Sequence, residues 1–258
     1  MNVSAEGLRV LVTGAATGIG RVTAGLFLEH GARVHICDVD EQALADCARA
    51  LPAVTQSIAD VSKLADVERL FADVRRELGG LDVLVNNAGI AGPTGKVEDI
   101  APEDWTRTID VDLNGMFYCT RLAMPLIKTA GGGSVVNLSS SAGRLSHPLR
   151  SPYAAAKWAV VGFTKSLAAE AGADGVRVNC IQPGFVAGER MDKVIAAKAE
   201  ARGVSFEVQR DQFLQTVSLR SFVSAEEVAN VALFLASDAG KHISGQAIPV
   251  CGDIQYLV

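Results

Sequence analysis

Hydrophobic and polar positions alternate along the chain in two ways. Short apolar, β-branched runs bounded by Gly, Asp, Asn or Pro are typical of strands buried on both faces of a parallel sheet. Seven strands are predicted: Leu8–Val12, Arg33–Cys37, Val54–Ile58, Leu81–Val85, Ser134–Leu138, Arg177–Ile181 and Ala247–Val250. Longer amphipathic segments between them predict six helices: Ile19–His30, Glu41–Ala50, Leu64–Leu78, Pro102–Thr129, Pro152–Ala171 and Ala225–Ser237. This order predicts an α/β fold, a doubly wound seven-stranded parallel sheet with helices on both faces.

One stretch interrupts the alternation of strands and helices. Residues 184–223 contain two short amphipathic segments, Glu189–Arg202 and Ser205–Val217, and are longer than the usual connection between elements. Long connections of this kind often close over a binding site, so residues 184–223 are expected to form a substrate lid. Ser224 and Glu227 have the spacing of a capping box and mark the start of the last helix.

Composition and charge narrow the class of protein. The chain has 258 residues, of which 49% are hydrophobic and 21% charged, so it is long enough and apolar enough for one large core. A formal net charge of −5 offers no cationic surface for nucleic-acid phosphates. No apolar run approaches the ~18 residues of a membrane span, and the first run is too short for a signal peptide. We expect a single domain over residues 1–258 that binds neither nucleic acid nor a membrane.

The cysteines and histidines favour neither disulfide nor metal chemistry. The five cysteines are scattered without a CxxC pair, and an odd number is unlike the disulfide framework of a secreted protein. This pattern favours a cytoplasmic location. The four histidines lack the spacing that brings two imidazoles onto one ion, so no metal site is predicted.

A glycine-rich segment joins the first strand to the first helix. Gly14, Gly18 and Gly20 stand in the order GxxxGxG, at a turn where backbone N–H groups can approach a pyrophosphate. A glycine-rich turn alone is a weak signal, but its position between strand and helix is that of a Rossmann-type dinucleotide site. Thr17 and Ile19, which lie within this turn, are therefore candidate cofactor-binding residues as well.

The second strand is followed by Asp38, eighteen residues beyond Gly20. A carboxylate about 20 residues past the glycines binds the adenosine ribose hydroxyls in dinucleotide sites. The same charge repels a 2′-phosphate, so Asp38 predicts NAD rather than NADP as cofactor. The alternative interpretation is a solvated aspartate at the end of a strand.

Tyr153 and Lys157 are four residues apart on a predicted helix, so both project from one face. A nearby cation favours the phenolate form of tyrosine, which can accept a proton. Ser140, at the end of the fifth strand, carries a hydroxyl that can donate to an alcohol or carbonyl oxygen. A Tyr-x-x-x-Lys pair alone is common on helix surfaces, but with Ser140 thirteen residues before Tyr153 it predicts a catalytic set.

The TGxxxGxG turn, Asp38, the NNAG segment at residues 86–89, Ser140 and Tyr153-x-x-x-Lys157 occur in this order. Together they resemble the short-chain dehydrogenase/reductase family across essentially the whole chain. The resemblance implies that Ser140 polarises the substrate oxygen, Tyr153 is the general acid/base, and Lys157 assists it while binding the nicotinamide ribose.

The family resemblance also implies further cofactor-binding residues and a homo-oligomeric assembly. The further residues implied to contact the cofactor are Asp60, Val61, Asn87, Ala88, Gly89, Pro183, Gly184 and Val186, together with Tyr153 and Lys157 themselves. Relatives commonly pair their two long helices, which implies a homo-oligomer, a tetramer, here through Pro102–Thr129 and Pro152–Ala171.

The leading function is transfer of a hydride between a secondary alcohol, or its ketone, and NAD, in one dinucleotide-binding and catalytic domain. One alternative is an NADPH-dependent 3-oxoacyl reductase, which Asp38 argues against. Another is a non-catalytic cofactor-binding protein, which the set of Ser140, Tyr153 and Lys157 argues against. The sequence leaves the identity of the small-molecule substrate open.

Several positions depart from the family's pattern. Gly188 stands where a threonine is usual, residues 250–253 read VCGD instead of VDGG, and Asp112 stands where an asparagine holds a relay water. Asp112 is included among the candidate catalytic residues because its charge favours the ammonium form of Lys157. The alternative is that Asp112 caps backbone groups or faces solvent.

Two arginines, Arg144 and Arg150, lie between Ser140 and Tyr153 in the loop expected to border the substrate pocket. We hypothesise that one of them meets an anionic group on the substrate. The alternative is that both are solvated, as most arginines are.

Overall fold

In the computed structural model, which describes residues 3–257, the strands are β1 (Arg9–Thr13), β2 (Arg33–Asp38), β3 (Thr55–Ile58), β4 (Val83–Asn86), β5 (Gly133–Leu138), β6 (Val176–Pro183) and β7 (Ala247–Val250). Within this range all seven join one sheet in the order β3-β2-β1-β4-β5-β6-β7. Every neighbouring pair is parallel. The predicted Rossmann-type α/β fold is therefore confirmed.

The helices are α1 (Gly18–Glu29), α2 (Glu41–Ala50), α3 (Leu64–Leu78), α4 (Pro102–Ile109), α5 (Gly115–Thr129), α6 (Ser151–Ala171), α7 (Glu189–Arg202), α8 (Phe206–Gln215) and α9 (Ala225–Ala236). Strand β1 is apolar because both of its faces are covered. Val10 and Val12 pack with α1, α2 and α9, whereas Leu11 packs with α3 and α5 on the opposite face.

The predicted helix Pro102–Thr129 is divided in the structure. A π-helical turn at Asp110–Asn114 separates α4 from α5. A π turn widens the helix by one residue, and such turns are frequent at functional sites. The apolar periodicity did not reveal it, because the residues on either side of the turn still have helical spacing. The turn buries Asp112 completely.

Residues 184–223 form α7 and α8 and pack on a small apolar cluster of their own. Phe185, Ile195 and Phe213 belong to this cluster together with Ile254 and Leu257 near the end of the chain. The predicted capping box is present, since Ser224 Oγ accepts from Glu227 N and Glu227 accepts from Ser224 N. That this segment acts as a lid stays a prediction. Within residues 3–257 no helix is long and apolar enough to span a membrane.

The strand order brings the candidate site together. The chain runs outward from β1 to β3 and then returns to place β4 on the other side of β1. Ligands bind at the carboxyl ends of the strands where the order reverses in this way. The glycine-rich turn after β1, the NNAG segment of β4 and Ser140 after β5 all lie at that edge.

Large apolar side chains remain exposed on the two helices that the resemblance pairs between subunits. Phe117 on α5 is 47% exposed and Trp158 on α6 is 52% exposed. Exposed aromatic side chains of this size are typical of surfaces that contact another protein.

We expect the chain to form a homotetramer, with a mass by light scattering of about four times the 27.0 kDa chain. Phe117→Glu combined with Trp158→Glu is expected to lower the mass, because two buried carboxylates oppose association. Val208→Glu is the matched control, since Val208 on α8 is also 47% exposed but lies outside these helices. A monomeric wild-type protein at micromolar concentration would contradict the expectation.

Candidate active site

The glycine-rich turn and the NNAG segment are in close contact. Gly14 has a φ of +61°, and a Cβ on it would lie 2.7 Å from Ala88 Cα. Only glycine fits such an approach. Asn87 Nδ2 donates to Thr13 O at 2.9 Å and Gly14 O at 2.7 Å. The Asn87 side chain therefore holds the turn in shape through its Nδ2 group.

The start of α1 has the form of an anion-binding turn. Its N-cap residue is Thr17, and no side chain among residues 3–257 caps the first N–H groups of the helix. Gly18 has a φ of +55° and a Cβ on it would meet nothing within 4 Å, so the turn is open there. At Gly20 a Cβ would be 2.5 Å from Asn87 Nδ2. These features fit a dinucleotide pyrophosphate on the N-terminus of α1, over Gly18 and Ile19.

Asp38 lies beside this turn. Its Oδ2 accepts from Ala16 N at 3.0 Å, and its Oδ1 accepts from Val39 N at 2.8 Å. The carboxylate is thus oriented by backbone groups of two separate segments. This placement fits a residue that binds ribose hydroxyls, and no side-chain cation is bonded to it among the described residues.

Asp60 and Val61 follow β3 and have partners within the protein. Asp60 accepts from Ser62 Oγ at 2.6 Å and from Arg107 Nη1 at 3.3 Å. Burial raises the pKa of the Asp60 carboxyl, but the hydrogen bonds from Ser62 and the Arg107 charge outweigh burial and hold this pKa below its usual value. Val61 packs against the start of α5, where a Cβ on Gly115 would lie 2.7 Å from Val61 Cγ2.

Three consecutive serines follow β5 and have different roles. Ser139 Oγ donates to Lys157 O at 2.8 Å, and Ser141 Oγ donates to Pro183 O at 3.0 Å. Ser140 Oγ instead accepts from Ala142 N at 3.1 Å, and its own proton has no acceptor within residues 3–257. Ser140 is therefore the serine of this segment that can donate to a substrate oxygen. The role of Ser139 in attaching α6 to β5 was missed by the sequence analysis, because adjacent serines carry no signal that separates them.

Tyr153 and Lys157 lie together at the start of α6. Lys157 Nζ is 5.5 Å from the centroid of the Tyr153 ring and donates to Leu138 O at 3.1 Å. The Tyr153 hydroxyl makes no hydrogen bond to any residue that the structure describes, and the residue is half-buried. A phenol that is open to a ligand and has a buried ammonium nearby can exchange a proton with that ligand.

Asp112 is buried beside Lys157. Its Oδ2 lies 3.5 Å from Lys157 Nζ, and its Oδ1 accepts from Ile90 N at 2.7 Å. The side chain is fully buried, so the alternative of a solvent-facing aspartate is wrong. The alternative of a backbone cap holds for one of its oxygens. Asn114 donates to Asp110 Oδ1 at 2.8 Å and lies outside this contact.

Gly188 has a backbone conformation that explains the absence of threonine. Its φ is +135°, which is strained for any residue with a Cβ. Gly188 is the N-cap position of α7, and no side chain of the described residues caps that helix. A hydroxyl at this position is therefore not available to a cofactor. Two residues further on, Arg190 Nη1 donates to Gly89 O at 3.0 Å and connects α7 to the NNAG segment.

The end of β6 packs tightly against the segment that follows β7. Pro183 pairs with Val250 in the sheet, and a Cβ on Gly184 would lie 2.7 Å from Cys251 Cα. Val186 forms an isolated bridge with Val223. These contacts place the segment at the carboxyl edge of the sheet, where it can reach a bound nicotinamide.

Cys251 in the unusual VCGD segment contacts the side chain of Arg144. Arg144 Nη2 lies 3.2 Å from Cys251 Sγ and 3.4 Å from Ile254 O. Arg144 therefore binds the C-terminal segment, and the hypothesis that it meets the substrate has no support from these contacts.

The structure adds two basic residues that the sequence did not indicate. Lys198 on α7 is fully buried, and burial, with Arg150 and Arg202 adding to it, lowers its pKa to about 7. Both ring nitrogens of the half-buried His147 are shielded from solvent, and the pKa of His147 falls to about 2, first because of burial and then because of Lys198 and Arg150. Lys198 occurs in a polar helical segment typical of solvated surfaces, so no local pattern could have found it. No group of metal ligands was found within residues 3–257.

Comparisons with known proteins agree with this geometry. The family model described as Enoyl-(Acyl carrier protein) reductase matches residues 14–252. The 3-oxoacyl-[acyl-carrier-protein] reductase FabG of Thermotoga maritima is 36% identical over 253 residues, which is 96% of this chain and 98% of that protein. The chain therefore belongs to the short-chain dehydrogenase/reductase family of oxidoreductases.

Solved structures of this fold include proteins with either nicotinamide cofactor. An NAD+-bound xylitol dehydrogenase superposes with a TM-score of 0.92 at 25% identity, covering 98% of this chain and 100% of the other. An actinorhodin polyketide ketoreductase with NADPH superposes with a TM-score of 0.93 at 31% identity, covering 97% of this chain and 98% of the other. The protein is thus similar in structure to one protein bound to NAD+ and to another bound to NADPH.

The buried carboxylate of Asp112 generates a prediction. Asp112→Asn keeps the side-chain volume and an oxygen that can accept from Ile90 N, but it removes a negative charge beside Lys157. Because the proposed proton transfer takes place beside that charge, we expect the pH profile of kcat/KM to shift measurably when it is removed. The measurement is kcat/KM from pH 5 to pH 10.

Asp110→Asn is the matched control, because Asp110 lies in the same π turn but binds Asn114. It is expected to leave the profile in place. An unchanged profile and rate in Asp112→Asn would show that Asp112 acts only through its contact with the backbone.

Proposed function

We propose that the protein is an NAD-dependent oxidoreductase that interconverts a secondary alcohol and its ketone. The observation that carries this proposal is the pair of hydroxyls on Ser140 and Tyr153. Both lie at the carboxyl edge of the sheet, and neither hydroxyl donates a hydrogen bond to any group within residues 3–257. A buried ammonium, that of Lys157, lies 5.5 Å from the centre of the tyrosine ring.

The residues divide the proton chemistry between them. The N-terminus of α1 would hold the pyrophosphate of a nicotinamide cofactor, whose ring would supply the hydride acceptor in alcohol oxidation and the hydride donor in ketone reduction. Tyr153, as phenolate, takes the hydroxyl proton of the alcohol, and Ser140 donates a hydrogen bond to the same oxygen. Lys157 stabilises the phenolate and is itself positioned by Leu138 O and by Asp112.

Asp38 supports a preference for NAD. The carboxylate is held beside the glycine-rich turn by Ala16 N, and a 2′-phosphate at that position would meet its negative charge. Thr17 and Val39, which flank the position, carry no compensating cation. The likeness to a 3-oxoacyl reductase favours, as a second candidate, reduction of 3-oxoacyl thioesters with NADPH, and Asp38 is the observation against it.

We further propose a homotetramer in the cytoplasm. The five cysteines are all buried thiols, which fits a reducing compartment. The experiment that tests the function is incubation of the purified protein with NAD and a broad panel of alcohols, followed at the absorbance of the reduced nicotinamide. Absence of turnover over the whole panel, with both NAD and NADP, would favour the alternative of a non-catalytic protein.

Tyr153→Phe is expected to lower kcat by about 10²–10⁴-fold while NADH binding changes little, because only the proton carrier is removed. Lys157→Ala is expected to lower kcat and also to weaken NADH binding, since the family resemblance implies that the ammonium contacts the cofactor as well as the phenolate. Tyr118→Phe serves as the matched control, because Tyr118 is a half-buried tyrosine on α5 that packs against the core cluster formed with α3. Turnover of Tyr153→Phe close to the wild-type value would overturn the role of Tyr153.

The cofactor preference is tested by comparing kcat/KM for NAD and NADP in wild type and in Asp38→Ala. We expect wild type to prefer NAD and Asp38→Ala to narrow that preference by about tenfold or more, since the repulsion costs on the order of 1.4 kcal/mol or more. Asp40→Ala removes a nearby carboxylate that caps α2 and is expected to keep the wild-type ratio. Faster wild-type turnover with NADP at equal low concentrations would show that the role assigned to Asp38 is wrong.

A further inference from the structure

Arg150 is a buried cation next to the reacting phenol. The residue is 2% exposed, and its guanidinium carbon lies 5.0 Å from the centroid of the Tyr153 ring. One of its terminal nitrogens donates to Ala91 O, and Nε has no hydrogen-bond partner. None of the ion pairs formed within residues 3–257 includes Arg150.

A buried guanidinium without a carboxylate partner is unfavourable. It carries five N–H donors, and removing its charge from water costs free energy unless an anion or hydrogen bonds compensate. Burial lowers the pKa of the Arg150 guanidinium, and Tyr153 and Asp112 oppose that effect while Arg190 adds to it. Asp112 is the carboxylate whose charge acts on Arg150. It already forms an ion pair with Lys157 and accepts a hydrogen bond from Ile90 N.

The backbone that presents Arg150 is also in an unusual conformation. Leu149, the preceding residue, has a φ of +64°, which is rare for a bulky side chain. Its carbonyl accepts from Gly95 N at 2.9 Å, so the strained residue is held by the loop that contains Ala91. Strain of this kind persists where the surrounding structure imposes it, and it is concentrated at functional sites.

Further positive charge surrounds this position. Arg190 on α7 reaches Gly89 O at 3.0 Å, and its charge acts on Arg150. Arg150 and Lys157 lie 5.0 and 5.5 Å from the centroid of the Tyr153 ring, and Asp112 is paired with Lys157. The local charge balance is therefore positive and attracts anions.

We propose that Arg150 binds a carboxylate of the substrate, so that the substrate is a short hydroxy acid or the corresponding oxo acid. The planar fork of a guanidinium matches the two oxygens of a carboxylate. Because the guanidinium packs on the Tyr153 ring, a bound carboxylate lies only a few bonds from the carbon that carries the hydroxyl. This inference rests on the proposed function and adds the substrate class.

The test compares each acid with its own methyl ester, which has the same carbon skeleton but no charge. The panel contains 2-, 3- and 4-hydroxy acids of three to six carbons, with NAD as cofactor. We expect the best acid to exceed its ester in kcat/KM by about 30-fold or more, as for a buried charge-assisted hydrogen bond. Arg150→Met is expected to bring the ratio of acid to ester kcat/KM close to one. The ratio is the measured quantity because loss of the charge beside Tyr153 affects the turnover of acid and ester alike.

Two variants separate the anion site from a structural role. Arg150→Lys keeps a positive charge and is expected to keep part of the preference for the acid. Arg144→Met is the matched control, since Arg144 lies in the same loop but binds the C-terminal segment. It removes the same net charge and is expected to keep the full preference. NADH binding to each variant, followed by its fluorescence, shows that the cofactor site is folded.

A binding measurement makes the result independent of turnover. Malonate, which carries carboxylates but no hydroxyl, is titrated into the NADH complex and the shift in Tm is recorded. We expect malonate to raise the Tm of wild type and Arg144→Met but not that of Arg150→Met. Stabilisation by inorganic phosphate and not by malonate would overturn the assignment of a carboxylate.

The outcomes distinguish the two proposals. Turnover of neutral alcohols without preference for acids, and without a malonate effect, would overturn the anion site while the oxidoreductase function stands. Binding of malonate that depends on Arg150, without turnover of any alcohol, would overturn the function while the anion site stands. If Arg150→Met fails to bind NADH, the anion site is tested by the ratio of acid to ester kcat/KM in wild type and in Arg150→Lys. A ratio near one in wild type would overturn the anion site.

Discussion

The buried ion pair between Lys157 and Asp112 is the interaction on which the candidate site depends. Lys157 belongs to α6 and Asp112 to the π turn before α5, and their side chains are 3.5 Å apart with almost no exposure. Removing two charges from water is costly, and the cost is offset only when each charge keeps hydrogen bonds. Leu138 O supplies one to Lys157 and Ile90 N supplies one to Asp112, so β5 and the segment after β4 are tied to the same pair.

The glycine-rich turn depends on a second set of contacts at the same sheet edge. Asn87 spans the distance from the β4 segment to two carbonyls of the turn, and Gly14 permits the two backbones to touch. The N-terminus of α1 is thereby held open toward the crevice between β1 and β4. An anion is favoured there because no side chain among residues 3–257 caps the first N–H groups of the helix.

Positive charge exceeds negative charge around the Tyr153 phenol. This excess affects both the catalytic tyrosine and the kind of substrate that can bind beside it. The carboxylate of Asp112 is paired with Lys157, while the buried Arg150 guanidinium carbon lies 5.0 Å from the centroid of the Tyr153 ring. Helix α7 contributes Arg190, which donates to Gly89 O. The same cations that favour a phenolate also favour a negatively charged ligand, since both effects follow from one local potential.

The sequence by itself determined the fold class and indicated the candidate residues of the site. Local periodicity predicts the seven strands and most of the helices, and the turn glycines, Asp38, Ser140, Tyr153 and Lys157 follow or begin elements in an order that a parallel sheet brings to one edge. Local pattern did not reveal the π turn, because a single inserted residue barely changes helical spacing.

Only the tertiary structure decided which polar groups are left for a ligand. Among Ser139, Ser140 and Ser141, the free hydroxyl is identified by partners far away in the chain, Lys157 and Pro183. Arg144 and Arg150 look alike in the sequence, yet one binds the C-terminal segment and the other is buried on Tyr153. The physical reason is that burial and the satisfaction of hydrogen bonds depend on contacts between distant segments, which residue type and spacing do not encode.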